Sequence, residues 1–147
     1  LHLLWARSQG AARVIVTDIN DNRLNLAQEL GANAVINAKD DLANRLRRIN
    51  ENRLADLVIV CTGAISAFMQ ALQCVDRAGT ILCFAATDPG VNLPVPVNDF
   101  WRQSIKIIHS YGSAPLDTMT AIEVMRAGNL SLQKLITHKL SLANICY

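Results

Sequence analysis

The sequence predicts an α/β domain in which a parallel sheet carries helices on both faces. Three observations predict it. Short apolar runs such as residues 14–18 and 57–61 alternate with segments whose apolar residues recur at helical spacing. The run at 57–61 is continuous and β-branched, as in strands buried on both faces. Glycines at positions 10, 31 and 128 stand where helical segments should stop. Repeated strand–helix alternation of this kind winds into a doubly wound sheet with right-handed crossovers.

The elements follow in order. Residues 1–9 read as the tail of a helix, stopped by Gly10. Residues 14–18 form a strand. Asn20 can cap a helix carrying Leu24, Ala27 and Leu30, which Gly31 ends. Residues 34–36 are a short strand, and an arginine-rich helix begins near Asp41. Residues 57–61 are the next strand. A helix over 66–75 places Phe68, Leu72 and Val75 on one face. After an Ala78-Gly79 turn comes a strand at 80–84. A Pro/Gly-rich excursion over 87–96 leads to a strand at 105–109. Pro115 suits the first turn of a last helix, which runs to about Ala127, and residues 135–140 are again extended.

The 147 residues are most simply one domain, long enough for a proper core. Half are apolar and 18% are charged, which excludes disorder. A net charge of +2 argues against nucleic acid or an anionic membrane as partner. Arg45, Arg47, Arg48 and Arg53 cluster, but Leu42, Leu46 and Ile49 share their segment at helical spacing, so the arginines read as a solvated helix face. No apolar stretch reaches the ~18 residues of a membrane span. Cys61, Cys74, Cys83 and Cys146 form no C-x-x-C pair and have no zinc-site spacing. Cys61 and Cys83 lie in strand runs and read as reduced, buried thiols, which points to the cytoplasm.

Ligands of doubly wound sheets bind at the carboxyl ends of the strands. The functional positions are therefore Asp18, Cys61-Thr62-Gly63, Phe84-Ala85-Ala86 and His109-Ser110-Tyr111. Asp18 is the most informative. A carboxylate ending a buried strand can accept hydrogen bonds from both hydroxyls of an adenosine ribose. It repels a 2′-phosphate, which favours NAD over NADP. Arg23 lies one turn into the following helix, within reach of the same ribose or its phosphate, and Ile19 offers an apolar surface to adenine. A cap for the following helix is the plainer reading of Asp18, and a strand-to-helix turn with a conformationally free glycine is the plainer reading of Thr62-Gly63. His2, His109 and His138 are scattered and read as packed or hydrogen-bonded side chains rather than metal ligands. The residues show no nucleophile–base pair and no catalytic carboxylate dyad. They display cofactor binding rather than chemistry.

The glycine-rich phosphate loop of such a unit stands about 20 residues before the acid. Counting back from Asp18 passes Leu1, so loop and first strand are expected to precede this sequence. In the strand order 3-2-1-4-5-6 that first strand is central. The strands near Val14 and Leu57 are then left without a ladder partner between them, and the isolated chain is expected to be unstable or to aggregate.

The run W-A-R-S-Q-G-A-A-R-V-I-V-T-D-I-N-D-N-R-L-N-L-A-Q-E-L-G-A-N-A-V-I-N resembles the cofactor domain of zinc-containing medium-chain alcohol dehydrogenases, a Rossmann fold. The likeness continues through A-D-L-V-I-V-C-T-G, R-A-G-T-I-L-C-F-A and L-I-T-H-K-L-S-L, and so covers the chain in order. F-A-A-T-D-P-G and S-Y-G-S-A-P resemble the polyol and threonine dehydrogenase branch. The resemblance implies hydride transfer between a secondary alcohol or polyol and NAD, with Asp18 and Arg23 on the adenosine ribose. It implies that Cys61, Thr62 and Gly63 line the adenine–ribose side of the cleft. The backbone at Phe84 and Ser110 would hold the nicotinamide carboxamide, with Ala85 where many members have glycine. It further implies a homo-oligomer, dimer or tetramer, paired at the strand near Ile105. An N-terminal catalytic domain would hold zinc and the proton relay outside these residues. Two alternatives share the Asp18 site: a non-enzymatic dinucleotide sensor and an S-adenosylmethionine-dependent methyltransferase. The tail after Ile105 lacks the antiparallel hairpin expected of the latter.

Overall fold

A computed structural model of the chain describes residues 1–128, 130 and 132–144. The elements alternate as anticipated: α1 (His2–Ser8), β1 (Ile15–Asp18), α2 (Asp21–Glu29), β2 (Ala34–Asn37), α3 (Leu42–Ile49), β3 (Ala55–Val60), α4 (Ile65–Cys74), β4 (Val75–Cys83), α5 (Val97–Gln103), β5 (Lys106–His109) and α6 (Pro115–Arg126). Two 3₁₀ turns follow, Leu132–Leu135 and Leu142–Asn144. Most of the segment expected to be extended at 135–140 has no regular structure. Cys146 lies outside the described residues.

The strands form two ladders, β1–β2 and β3–β4–β5. No ladder links β1 to β3 among the described residues, and the three adjacencies agree with the predicted order when β1–β5 stand for its strands 2–6. β3, β4 and β5 run parallel. Among the described residues β3 pairs with β4 alone, and Leu57 in its middle is 52% exposed rather than buried.

By its contacts the chain divides into two compact units. In the first, Leu3, Ala27 and Ala32 form a core, with Val14, Val16, Leu30 and Val35 packed against it. Arg7 donates from Nη1 to the Gly31 carbonyl at 2.8 Å, fastening α1 to the end of α2. Val14 and Asn33 bond twice: the Val14 amide donates to Asn33 Oδ1 at 2.8 Å, and the Asn33 amide donates to the Val14 carbonyl at 2.9 Å.

The second unit comprises residues 17–21 and 36–112. Its core is Val60, Phe68, Ala71, Val75, Ile81, Cys83 and Phe100. α4 lays Phe68, Ala71 and Cys74 inward, a 3–3 spacing on one helical stripe. Asp41 caps α3 by accepting the Asn44 amide at 3.2 Å, with Leu42 and Leu46 buried and Arg45 and Arg48 exposed. The arginines thus form the solvated face their spacing predicts.

Two elements differ from the sequence reading. The Ala78-Gly79 turn is instead an irregularity within β4, which already begins at Val75. Ala55 pairs with Val75 while Leu57 pairs with Thr80, so the extra residues bulge and Ala78 takes φ 58°. Asp76 accounts for this: its Oδ2 accepts the Leu54 amide at 2.9 Å and its Oδ1 accepts the Arg77 amide at 2.8 Å. The carboxylate thereby ties the bulge to the start of β3. Helix α5 was hidden behind the Pro/Gly-rich excursion. Pro96 precedes its first residue, Ser104 ends it in the left-handed conformation at φ 56°, and buried Phe100 anchors it to the core.

Candidate functional site

Parallel strands in register end at a common level, and here the register is explicit. Val60 pairs with Cys83, and Cys83 pairs with His109. The next residues of each strand, Cys61, Phe84 and Ser110, therefore leave the sheet side by side. Backbone bonds hold that edge. The amides of Phe84 and Ala85 both donate to the Val60 carbonyl at 3.0 Å, and the Ser110 amide donates to the Cys83 carbonyl at 3.1 Å. Three of the predicted site segments are thus brought to one edge of one sheet.

Cys61 corrects an expectation. β3 ends at Val60, so Cys61 stands on the loop and is exposed, whereas Cys74 and Cys83 are buried. Even so, partial shielding beside the sheet raises the Cys61 thiol above its ordinary value. All three described cysteines are unpaired.

The Thr62–Ala64 turn is closed by Thr62, whose Oγ1 accepts the Ala64 amide at 3.3 Å. Gly63 is not in the left-handed region, so backbone freedom is not what requires a glycine there. Space is. A Cβ at Gly63 would stand 2.5 Å from the Ala86 carbonyl oxygen. The loop after β4 therefore lies directly on the turn after β3.

Asp18 ends β1, partly buried, and its Oδ1 accepts the Asn20 amide at 2.9 Å. That bond closes the turn before α2, whose first residue is Asp21, rather than capping the helix itself. A carboxylate offers about four acceptor directions, so ribose hydroxyls are compatible with that bond. Ile19, beside it, is 66% exposed, an apolar surface open to a ring. Residues beyond the sequence reading support this corner. The Ala38 amide donates to the Asp18 carbonyl at 3.0 Å, and Asn37 donates from Nδ2 to Asp21 Oδ1 at 3.0 Å. No sequence signal marks these contacts, because the partners lie on different strand ends. Arg23 is exposed on α2 and belongs to the other compact unit.

The strand ends offer recognition: small residues that admit a close ligand after β3 and β4, and a carboxylate beside an exposed apolar side chain after β1. These features fit a dinucleotide laid along strand ends. Among the described residues no group of three or more His, Cys, Asp or Glu side chains is placed to hold a metal ion. No described helix is long and apolar enough to cross a membrane.

The zinc-binding dehydrogenase family matches residues 1–127. An L-threonine 3-dehydrogenase of Chelativorans sp. (strain BNC1) is 29% identical over 142 residues, covering 94% of this chain and 40% of that protein. Another, from Anaeromyxobacter dehalogenans (strain 2CP-C), is 30% identical over 142 residues, covering 93% of this chain and 39% of that protein. Among solved structures, benzyl alcohol dehydrogenase from Acinetobacter calcoaceticus superposes with a TM-score of 0.82 at 26% identity, over 90% of this chain and 38% of that one. An alcohol dehydrogenase zinc-binding domain protein from Burkholderia ambifaria gives 0.81 at 26% identity, over 90% of this chain and 37% of that one. The chain spans about 40% of the length of the curated relatives it matches. With strand–helix alternation, parallel strands in register and this match along most of its length, the chain belongs to the zinc-binding dehydrogenase family.

Proposed function

We propose that this chain is the dinucleotide-holding part of an oxidoreductase that passes a hydride between a secondary alcohol or polyol and NAD. The observation that carries the reading is the common level of Cys61, Phe84 and Ser110 at the carboxyl edge of β3–β4–β5. NAD supplies the hydride acceptor when bound. The chain's own residues bind and orient it. Asp18 accepts the adenosine ribose hydroxyls and excludes a 2′-phosphate by charge, and Ile19 supports the adenine. Cys61, Thr62 and Gly63 line the ribose side, and the backbone at Phe84, Ala85 and Ser110 holds the carboxamide of the reacting ring. Hydride transfer needs the ring fixed relative to the substrate, and rigid strand ends provide that.

The relatives named for L-threonine oxidation at carbon 3 favour a secondary hydroxyl as substrate. Family membership replaces the methyltransferase alternative with this reading. In this reading the zinc of the family name is held by residues other than those that bind the dinucleotide. β5 pairs with β4 alone among the described residues and leaves Ile108 47% exposed, which supports pairing with a second copy along that strand. The unpaired cysteines accord with a cytoplasmic protein.

Calorimetric titration of the natural protein carrying this sequence tests the reading. NAD should bind more tightly than NADP. Asp18→Ala should weaken NAD by about tenfold to a hundredfold, the range for hydrogen bonds to a charged group. Asp18→Asn, which keeps an acceptor for the Asn20 amide, should chiefly relax the rejection of NADP. A wild type that binds neither dinucleotide sinks the cofactor assignment. Dinucleotide binding without any alcohol oxidation supports the sensor instead.

A further inference from the structure

We propose that Gly63 is a positioning residue whose missing side chain sets the spacing between the two loops that hold the opposite halves of the dinucleotide. The inference rests on the reading above, in which residues 61–63 line the adenosine side and the loop after β4 holds the nicotinamide side. Gly63 meets that second loop directly. Its Cβ would lie 2.5 Å from the Ala86 carbonyl oxygen, 3.5 Å from the Ala86 carbonyl carbon and 3.7 Å from Thr87 Cα. All three neighbours are backbone, so no side-chain rotation relieves the clash. A carbon–oxygen contact settles at about 3.3 Å, so an added methyl drives the loops apart by about 0.8 Å. That exceeds the roughly 0.5 Å within which a binding constellation must be held.

The loops cannot part freely at their roots. The Phe84 and Ala85 amides are both fastened to the Val60 carbonyl, and Thr62 closes the turn through the Ala64 amide. The displacement is therefore forced into the residues nearest the ligand. A ligand touching one loop is indifferent to their separation, whereas a dinucleotide spanning both is not.

Gly79 provides an internal control. Its Cβ would meet the Asp76 carbonyl oxygen at 2.7 Å and Val75 Cγ2 at 2.8 Å, an equally severe clash. It lies in the bulge near the start of β4, at the opposite end of the strands from Cys61 and Phe84.

The test titrates NAD and AMP into the natural protein and its variants. Gly63→Ala should lower NAD affinity by about tenfold to a hundredfold, the scale of loss from a misplacement of about 1 Å. AMP affinity should fall by a smaller factor than NAD affinity, because AMP rests on the first loop alone. Gly79→Ala should lower the thermal midpoint and leave both affinities unchanged. Should Gly63→Ala not fold, Thr62→Ala serves, since it adds no atoms. Its loss of the Ala64 acceptor should reduce NAD affinity severalfold and AMP affinity by a smaller factor, and Thr62→Ser should restore both. Equal losses for NAD and AMP, or none in either turn variant, overturn the inference while leaving the cofactor assignment standing. A wild type that binds neither nucleotide overturns both.

Discussion

Gln70 donates from its Nε2 to the Ala38 carbonyl oxygen at 2.7 Å, across 32 positions of sequence. Ala38 in turn donates its amide to the Asp18 carbonyl at 3.0 Å. The helix that follows the Cys61–Gly63 loop is thereby connected to the strand end that carries the acid. Two regions that the proposed reading assigns to one ligand share a short relay of hydrogen bonds.

Removing the Gln70 end of that relay has a local signature. Gln70→Ala leaves the Ala38 carbonyl without this partner in a partly buried setting, at a cost of about 1.5 kcal/mol. Hydrogen exchange of the Ala38 amide should quicken by about tenfold, the equivalent of that energy. Mass spectrometry of peptides spanning residues 18–39 measures it. Unchanged exchange there would show that the relay does not hold the corner.

The core of the second unit is sensitive to lost volume. Ile81 is 2% exposed, on the central strand of β3–β4–β5, within the cluster of Val60, Phe68 and Phe100. Ile81→Ala should destabilise by about 3 kcal/mol and Ile81→Val by about 1 kcal/mol. Denaturant midpoints give both values, and equal midpoints for the two variants would contradict the packing described.

The cysteines predict a dependence on pH. Burial pushes the Cys74 thiol from 9.0 up to about 11, and burial also raises Cys83. The folded chain keeps the Cys74 proton where the unfolded chain loses it. The unfolded state therefore binds fewer protons between about pH 9 and 11, and stability falls as pH rises through that window. Below it the contribution of Cys74 is fully present. Denaturation midpoints across that range should fall in the wild type and fall less steeply in Cys74→Ala. At pH 8, iodoacetamide should label Cys61 before Cys74 or Cys83, because Cys61 alone of the three is exposed.

The amino-acid sequence by itself determined the alternation of strands and helices, the helix stops at Gly10 and Gly128, and the place of Asp18 at a strand end. Each is written in local periodicity, capping chemistry or backbone propensity, which act over a few residues. Short-range signals also had limits. The Pro/Gly-rich stretch masked α5, whose anchor Phe100 reveals itself only by what it packs against. Cys61 read as part of a buried strand because its neighbours are apolar, yet β3 stops one residue earlier. Only the tertiary structure decided that Val60, Cys83 and His109 share a level, that Gln70 meets Ala38, and that Gly63 is a glycine for space rather than for backbone freedom. Those relationships depend on the register of strands and the approach of loops far apart along the chain. A sequence can name the residues that meet there, but the distance between them is set by the packing of everything in between.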